Sequence, residues 1–133
     1  LATTPVLARA GVPNIVVGSI DELTDAVKYP RAFRAINTNK QWISTANDYV
    51  LQSLKKTKIA IIADTAGYGT ASAKTAQELL EKAGIKPVYV VLVDPNKTDL
   101  TDEMTKARAA GAEVVMPWSA ATGLLGRPEV EKV

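Results

Sequence analysis

The sequence predicts a layered α/β domain built on parallel strands, and three observations carry that prediction. Residues 59–63, Ile-Ala-Ile-Ile-Ala, form an apolar run without alternation, the pattern of a strand buried on both faces. Two more apolar runs, 87–93 and 113–118, follow it, each separated from the last by one helical pattern. Strand–helix–strand alternation implies parallel strands with right-handed crossovers. Open parallel sheets meet their ligands just beyond the carboxyl ends of the strands. Asp64 and the turn Gly67-Tyr68-Gly69 stand at that place after the first run.

The first 36 residues are different in kind. Pro5, Pro13 and Pro30 interrupt the pattern, 14–17 and 32–36 read as short strands, and 21–27 as a short piece of helix. This segment has too little apolar periodicity for a core of its own and reads as part of a neighbouring lobe plus a connecting strand. Ile43, Ala46, Val50 and Leu54 then mark one face of a helix from about 39 to 55. A strand over 58–63 follows. In the next helix Ala76, Leu79, Leu80 and Ala83 share a face, and Gly84 is the stop. After the strand 87–93, Leu100, Met104 and Ala107 mark a second crossover helix, with Asp99 or Thr101 as its cap and Gly111 as its stop. The third strand is 113–118, and the tail 126–133, which contains Pro128, does not continue a long helix.

Composition narrows the function. A chain of 133 residues, 47% hydrophobic and 23% charged, suits one modest globular domain. Sixteen basic and fourteen acidic residues leave a net charge of +2, too little to point to nucleic acid or an anionic membrane. The basic cluster Lys55-Lys56-Thr57-Lys58 follows a helix, where cations complement the helix dipole. Cysteine and histidine are both absent, which removes thiol chemistry, the commonest general base and the commonest transition-metal ligand. No cofactor and no metal are expected. No run reaches the length of a membrane span and no signal peptide is read, while the start at Leu1 rather than Met reads as an upstream part removed or not included.

An ordered series runs through the chain: Ala2-Thr3-Thr4-Pro5, Phe33-Arg34, the helix, 59–64, Tyr68-Gly69, Asp99 before a helix, and Glu113-Val114-Val115. In that order it resembles the middle of the type I periplasmic solute-binding proteins, such as the leucine/isoleucine/valine-binding protein. The resemblance implies a three-layer, Rossmann-like lobe with a parallel sheet, here truncated. It assigns 1–36 to the end of a first lobe plus a hinge strand, and 37–133 to the opening half of a second α/β lobe. It also implies a non-enzymatic role: an extracytoplasmic component of an ABC importer, closing two lobes around a small organic solute. Its implied partners are that solute and a membrane permease, and its location is the periplasm, or outside a Gram-positive cell on a lipid anchor.

Carried over by position, the resemblance names six site residues. Ala2, Thr3 and Thr4 align with a loop that holds a ligand carboxylate through a hydroxyl and backbone amides; Thr3 and Thr4 equally fit a turn before Pro5. Tyr68 aligns with a cleft tyrosine able to cover a ligand and hydrogen-bond to it, or to pack on the sheet edge. Asp64 fits a turn carboxylate better than a ligand contact. Trp118 and Ser119 align near another cleft segment, where amino-acid binders carry glycines and tyrosines. The departure at Trp118 opens the solute to other carboxylates, aromatic ones included, and leaves a core position for the ring as the alternative. Arg34 reads as structural.

Two rivals share the strand–helix alternation. A dinucleotide enzyme would need a third glycine where Ser72 stands and a small residue in place of Tyr68. A phosphorylated receiver domain would need an acidic cluster that Asp64, Asp94 and Trp118 do not supply. A receptor's ligand-sensing domain remains an alternative within the same pattern. Truncation further predicts apolar surface near 114–116 and self-association into a dimer or larger species.

Overall fold

The structure, a computed structural model, describes residues 3–120. Ala2 and the tail 126–133 therefore lie outside the described residues. The chain divides into two compact units, Leu1–Trp42 and Ile43–Val133.

The first unit opens with a helix, α1 (Thr3–Arg9), where a turn was the alternative. Pro5 does not prevent it, because a first-turn proline forgoes an N–H that would have had no helical partner. Two short parallel strands follow, β1 (Asn14–Val16) and β2 (Ala32–Arg34), with Ile15 opposite Phe33. Between them, the expected short helix is a 3₁₀ turn over Asp21–Thr24. Arg34 holds that turn. Its guanidinium donates to the carbonyls of Gly18, Ile20 (2.7 Å) and Asp21 (3.3 Å) and to Thr24 Oγ1 (2.8 Å). After the turn, Asp25 Oδ1 accepts the N–H groups of Val27 and Lys28, each at 2.9 Å. The Lys28 bond leads in holding the Asp25 carboxyl below its usual pKa, against a smaller opposing effect of desolvation.

Helix α2 (Asn39–Asp48) starts in a capping box: Gln41 N–H donates to Thr38 Oγ1 at 3.2 Å, and Thr38 N–H to Gln41 Oε1 at 2.8 Å. The apolar periodicity predicts helix to about residue 55, but from Tyr49 to Ser53 the coil widens into a π turn. Lys55, at φ 56°, then ends it in the left-handed region.

The second unit is built on β3 (Ile59–Asp64), β4 (Tyr89–Val93) and β5 (Val114–Trp118), all parallel, in the order β4-β3-β5. Every residue of β3 is buried, which is why its apolar run is unbroken. Crossover helices α3 (Gly67–Lys82) and α4 (Thr101–Ala109) make three layers. One face of the sheet, with Ile59, Ile61, Ala63 and Met116, packs against Ile43 and Val50 and against Ala73, Ala76 and Leu80 of α3. The other face, with Ile62 and Val93, packs against Leu100 and against Met104 of α4. Burying each of these large aliphatic side chains contributes about 1.5–3 kcal/mol. Gly84 (φ 77°) and Gly111 (φ 80°) end the helices as expected, and Asp99 Oδ1 accepts the Thr101 N–H at 2.8 Å.

Apolar exposure falls elsewhere than on 114–116, since Met116 is buried and Val114 and Val115 are half-buried. It lies instead on and just before the other edge strand, β4, at Val88, Val90 and Leu92. In the first unit Ile15, Val17 and Phe33 are exposed.

Candidate functional site

In the second unit the carboxyl end of the sheet is organised around Asp64. As the last residue of the central strand, it is fully buried. Its Oδ1 accepts the Ala66 N–H at 2.9 Å, closing the turn between β3 and α3, and its Oδ2 accepts the hydroxyl of Ser119, just past β5. Thr65 N–H donates to the Val93 carbonyl at 2.9 Å, which fastens the same turn to β4. Asp64 is thus a turn carboxylate with a second, long-range partner.

Helix α3 sits directly on this arrangement. A Cβ added at Gly69 would lie 2.3 Å from Asp64 Oδ1 and 2.5 Å from the Asp64 carbonyl oxygen. Only a residue without a side chain lets the first turn come this close. Tyr68 is held in that turn, half-buried, with its carbonyl accepting the Ser72 hydroxyl at 2.7 Å.

Trp118 ends β5 opposite Ala63 of β3, so the register carries Ser119 to Asp64. The Trp118 side chain packs against the core layer shared with α2 and α3, and its indole nitrogen is buried with no hydrogen-bond partner among the described residues. Ser119 is buried. The second unit therefore brings Tyr68, Trp118, Ser119 and Asp64 to one end of one sheet.

Thr3 and Thr4 belong to the first unit. Thr3 is exposed and Thr4 buried, both in the first turn of α1 rather than in a loop. They line a cleft of about 410 Å³ together with Leu7, the 14–18 segment and Leu23. A smaller cavity of about 260 Å³, between α1 and the amino ends of β1 and β2, is lined by Lys28 and Arg31 among others. No sequence motif pointed to it. Among the described residues, no group of three or more acidic side chains is placed to hold a metal.

Sequence reasoning missed the bond between Asp64 and Ser119. It depends on the β3–β5 register, which no local pattern encodes. Gly69, five residues after the strand-end carboxylate, was the one signal available.

Comparison with known proteins agrees with this architecture. The family model described as periplasmic binding protein matches residues 1–125. The Leu/Ile/Val-binding protein homolog 3 of Brucella melitensis is 36% identical over 128 residues, covering 95% of this chain and 30% of that protein. An ABC transporter substrate-binding protein from Sphaerobacter thermophilus superposes with a TM-score of 0.76 at 25% identity, over 87% of this chain and 33% of that one. A branched-chain amino acid ABC transporter from Thermus thermophilus, solved with bound valine, has the same fold (TM-score 0.76, 21% identity, 86% of this chain and 30% of that one). The chain spans about a third of the length of these relatives. On the match over 1–125 and the parallel three-layer sheet with its ordered turns, the chain belongs to the periplasmic binding proteins of type I.

Proposed function

We propose that this chain is part of an extracytoplasmic solute-binding component of an ABC importer. Its solute is an amino acid, with a branched apolar side chain as the leading class, and its further partner is a membrane permease. The observation that carries this reading is Tyr68, held half-buried at the carboxyl end of β3 by the Asp64 turn. The printed names of the relatives from Brucella and Thermus support the solute class. In this reading Tyr68 is a solute contact of the second unit and Thr3 a solute contact of the first. Ala2 and Thr4 are further candidate contacts of the first unit, and Trp118 and Ser119 stand with Tyr68 at one end of the sheet in the second. The division of labour is binding without chemistry, and the 1–36 segment supplies the first-lobe contribution.

Calorimetric titration of the intact protein with L-leucine, L-valine and L-phenylalanine, with NAD and ATP as controls, tests this. Saturable binding of an amino acid and none of either nucleotide is expected. At a hundredfold excess over Kd the ligand should raise stability by about 2.7 kcal/mol. Tyr68→Ala should weaken binding at least about tenfold, equivalent to roughly 1.4 kcal/mol. Binding of a nucleotide in place of amino acids would overturn the reading.

We further propose that the 133-residue chain self-associates through the β4 edge, a second copy covering Val88, Val90 and Leu92. An edge strand with unpaired backbone groups and exposed aliphatic side chains favours such pairing. Light scattering should give a mass above that of one chain, rising with concentration, and Leu92→Lys should restore the monomer. A monomer at every concentration would count against it.

A further inference from the structure

Asp64 is fully buried at a strand end whose other positions are aliphatic or alanine. A carboxyl group removed from water is costly unless its oxygens find donors. Here the two oxygens serve two segments that are distant in sequence. Oδ1 takes the Ala66 N–H, two residues before Tyr68, and Oδ2 takes the Ser119 hydroxyl, one residue after Trp118. Gly69 presses its backbone onto the same carboxylate from the other side of Tyr68. The end of β3, the first turn of α3 and the exit of β5 therefore converge on one side chain. Closing the turn requires Oδ1 alone, and the Ser119 bond is additional to that local role.

We propose that Asp64 is a positioning residue for the solute site. Its carboxylate locks the Tyr68 turn and the Trp118-Ser119 exit in a fixed mutual placement, so that Ser119 acts on Tyr68 through Asp64. This rests on the reading of Tyr68 as a solute contact. A carboxylate suits the place because it accepts at both oxygens. The Ala66 N–H can only donate, and an asparagine would have to turn its NH₂ toward Ser119 and reverse that bond.

The test uses Asp64→Asn, Ser119→Ala and their combination in the intact protein, with three readouts. These are hydrogen exchange at the Ala66 amide, the ¹⁹F signal of fluorotyrosine at position 68 (assigned with Tyr68→Phe), and titration with L-leucine. Ser119→Ala deletes one oxygen and leaves the Ala66 bond in place. It is expected to speed Ala66 exchange and to raise the L-leucine Kd, each by about fivefold, the factor one net hydrogen bond commands. It is also expected to move the Tyr68 signal. Ser119→Thr keeps a hydroxyl and should restore all three. The double variant should be no worse than Asp64→Asn alone, because both changes break the same link.

Wild-type exchange and an unmoved Tyr68 signal in Ser119→Ala, or strictly additive effects in the double variant, would overturn the proposal. The first two readouts need no ligand. Coupling seen without any L-leucine binding would therefore uphold the positioning role and overturn only the amino-acid reading.

Discussion

Gly69→Ala is expected to destabilise the second unit by about 1–3 kcal/mol, the range for forcing a methyl group into a packed site. The sign is the informative part. Inside an exposed helix, alanine is better than glycine by about 1 kcal/mol, so a purely local account predicts a gain. At Gly69 the new Cβ would meet Asp64 Oδ1 at 2.3 Å and the Asp64 carbonyl oxygen at 2.5 Å. The second of these is backbone and cannot swing aside, so the first turn of α3 must lift off the sheet. Tyr68 sits in that turn, so under the proposed function solute affinity should fall with stability. Gly67→Ala is the control, because a Cβ there meets nothing within 4 Å. Urea unfolding of both variants decides the matter: Gly69→Ala should lower the midpoint, and Gly67→Ala should leave it or raise it. A stabilised Gly69→Ala would show that α3 does not seat on Asp64 as described.

Arg34→Ala should have a comparable or larger effect, confined to the first unit. The guanidinium donates to three carbonyls and one hydroxyl around the 3₁₀ turn. Hydrogen bonds from a charged donor contribute about 1.5–3 kcal/mol each when measured singly, and they are not additive. Because part of this group is solvent-accessible, a loss of about 2–4 kcal/mol is the reasonable expectation. Arg34→Lys should recover little of it, since one ammonium cannot reproduce a planar fork across several acceptors. Amide exchange resolves the location: Leu23 and Asp25, whose N–H groups close the turn, should lose protection, while Ile61 and Ile62 keep theirs. Uniform loss across both units, or none in the turn, would contradict the assigned role.

Much of the second unit was legible in the chain itself. β3 announced itself because a strand covered on both faces has no polar position to break its run, and all six of its residues are buried. β4 and β5 were found within a residue or two by the same signal, and Gly84 and Gly111 marked true helix ends because each adopts a positive φ. The first unit was harder. Pro5 looked like a helix breaker yet lies in the first turn of α1, where proline's missing N–H is harmless. The π turn after α2 left no trace, since widening a coil by one residue barely disturbs apolar periodicity over so short a span. The Thr38–Gln41 capping box was available to sequence reasoning and went unread.

The site shows the same division. Strand end, acidic residue, glycine and tyrosine stood in order along the chain, and parallel-sheet geometry alone places such a turn at the carboxyl end of the sheet, where open parallel sheets generally take ligands. Which groups touch one another was settled by register. Ala63 pairs with Trp118, which sets Ser119 against Asp64, and the tight approach of Gly69 follows from the seat of α3 on the sheet. The sequence by itself determined the layers, the parallel strands and the end of the sheet that carries Tyr68, because burial periodicity and turn chemistry are local properties. Only the tertiary structure decided that Asp64 joins two distant segments. A hydrogen bond between residues 64 and 119 depends on how strands align across the sheet, and that alignment is a property of the packed whole.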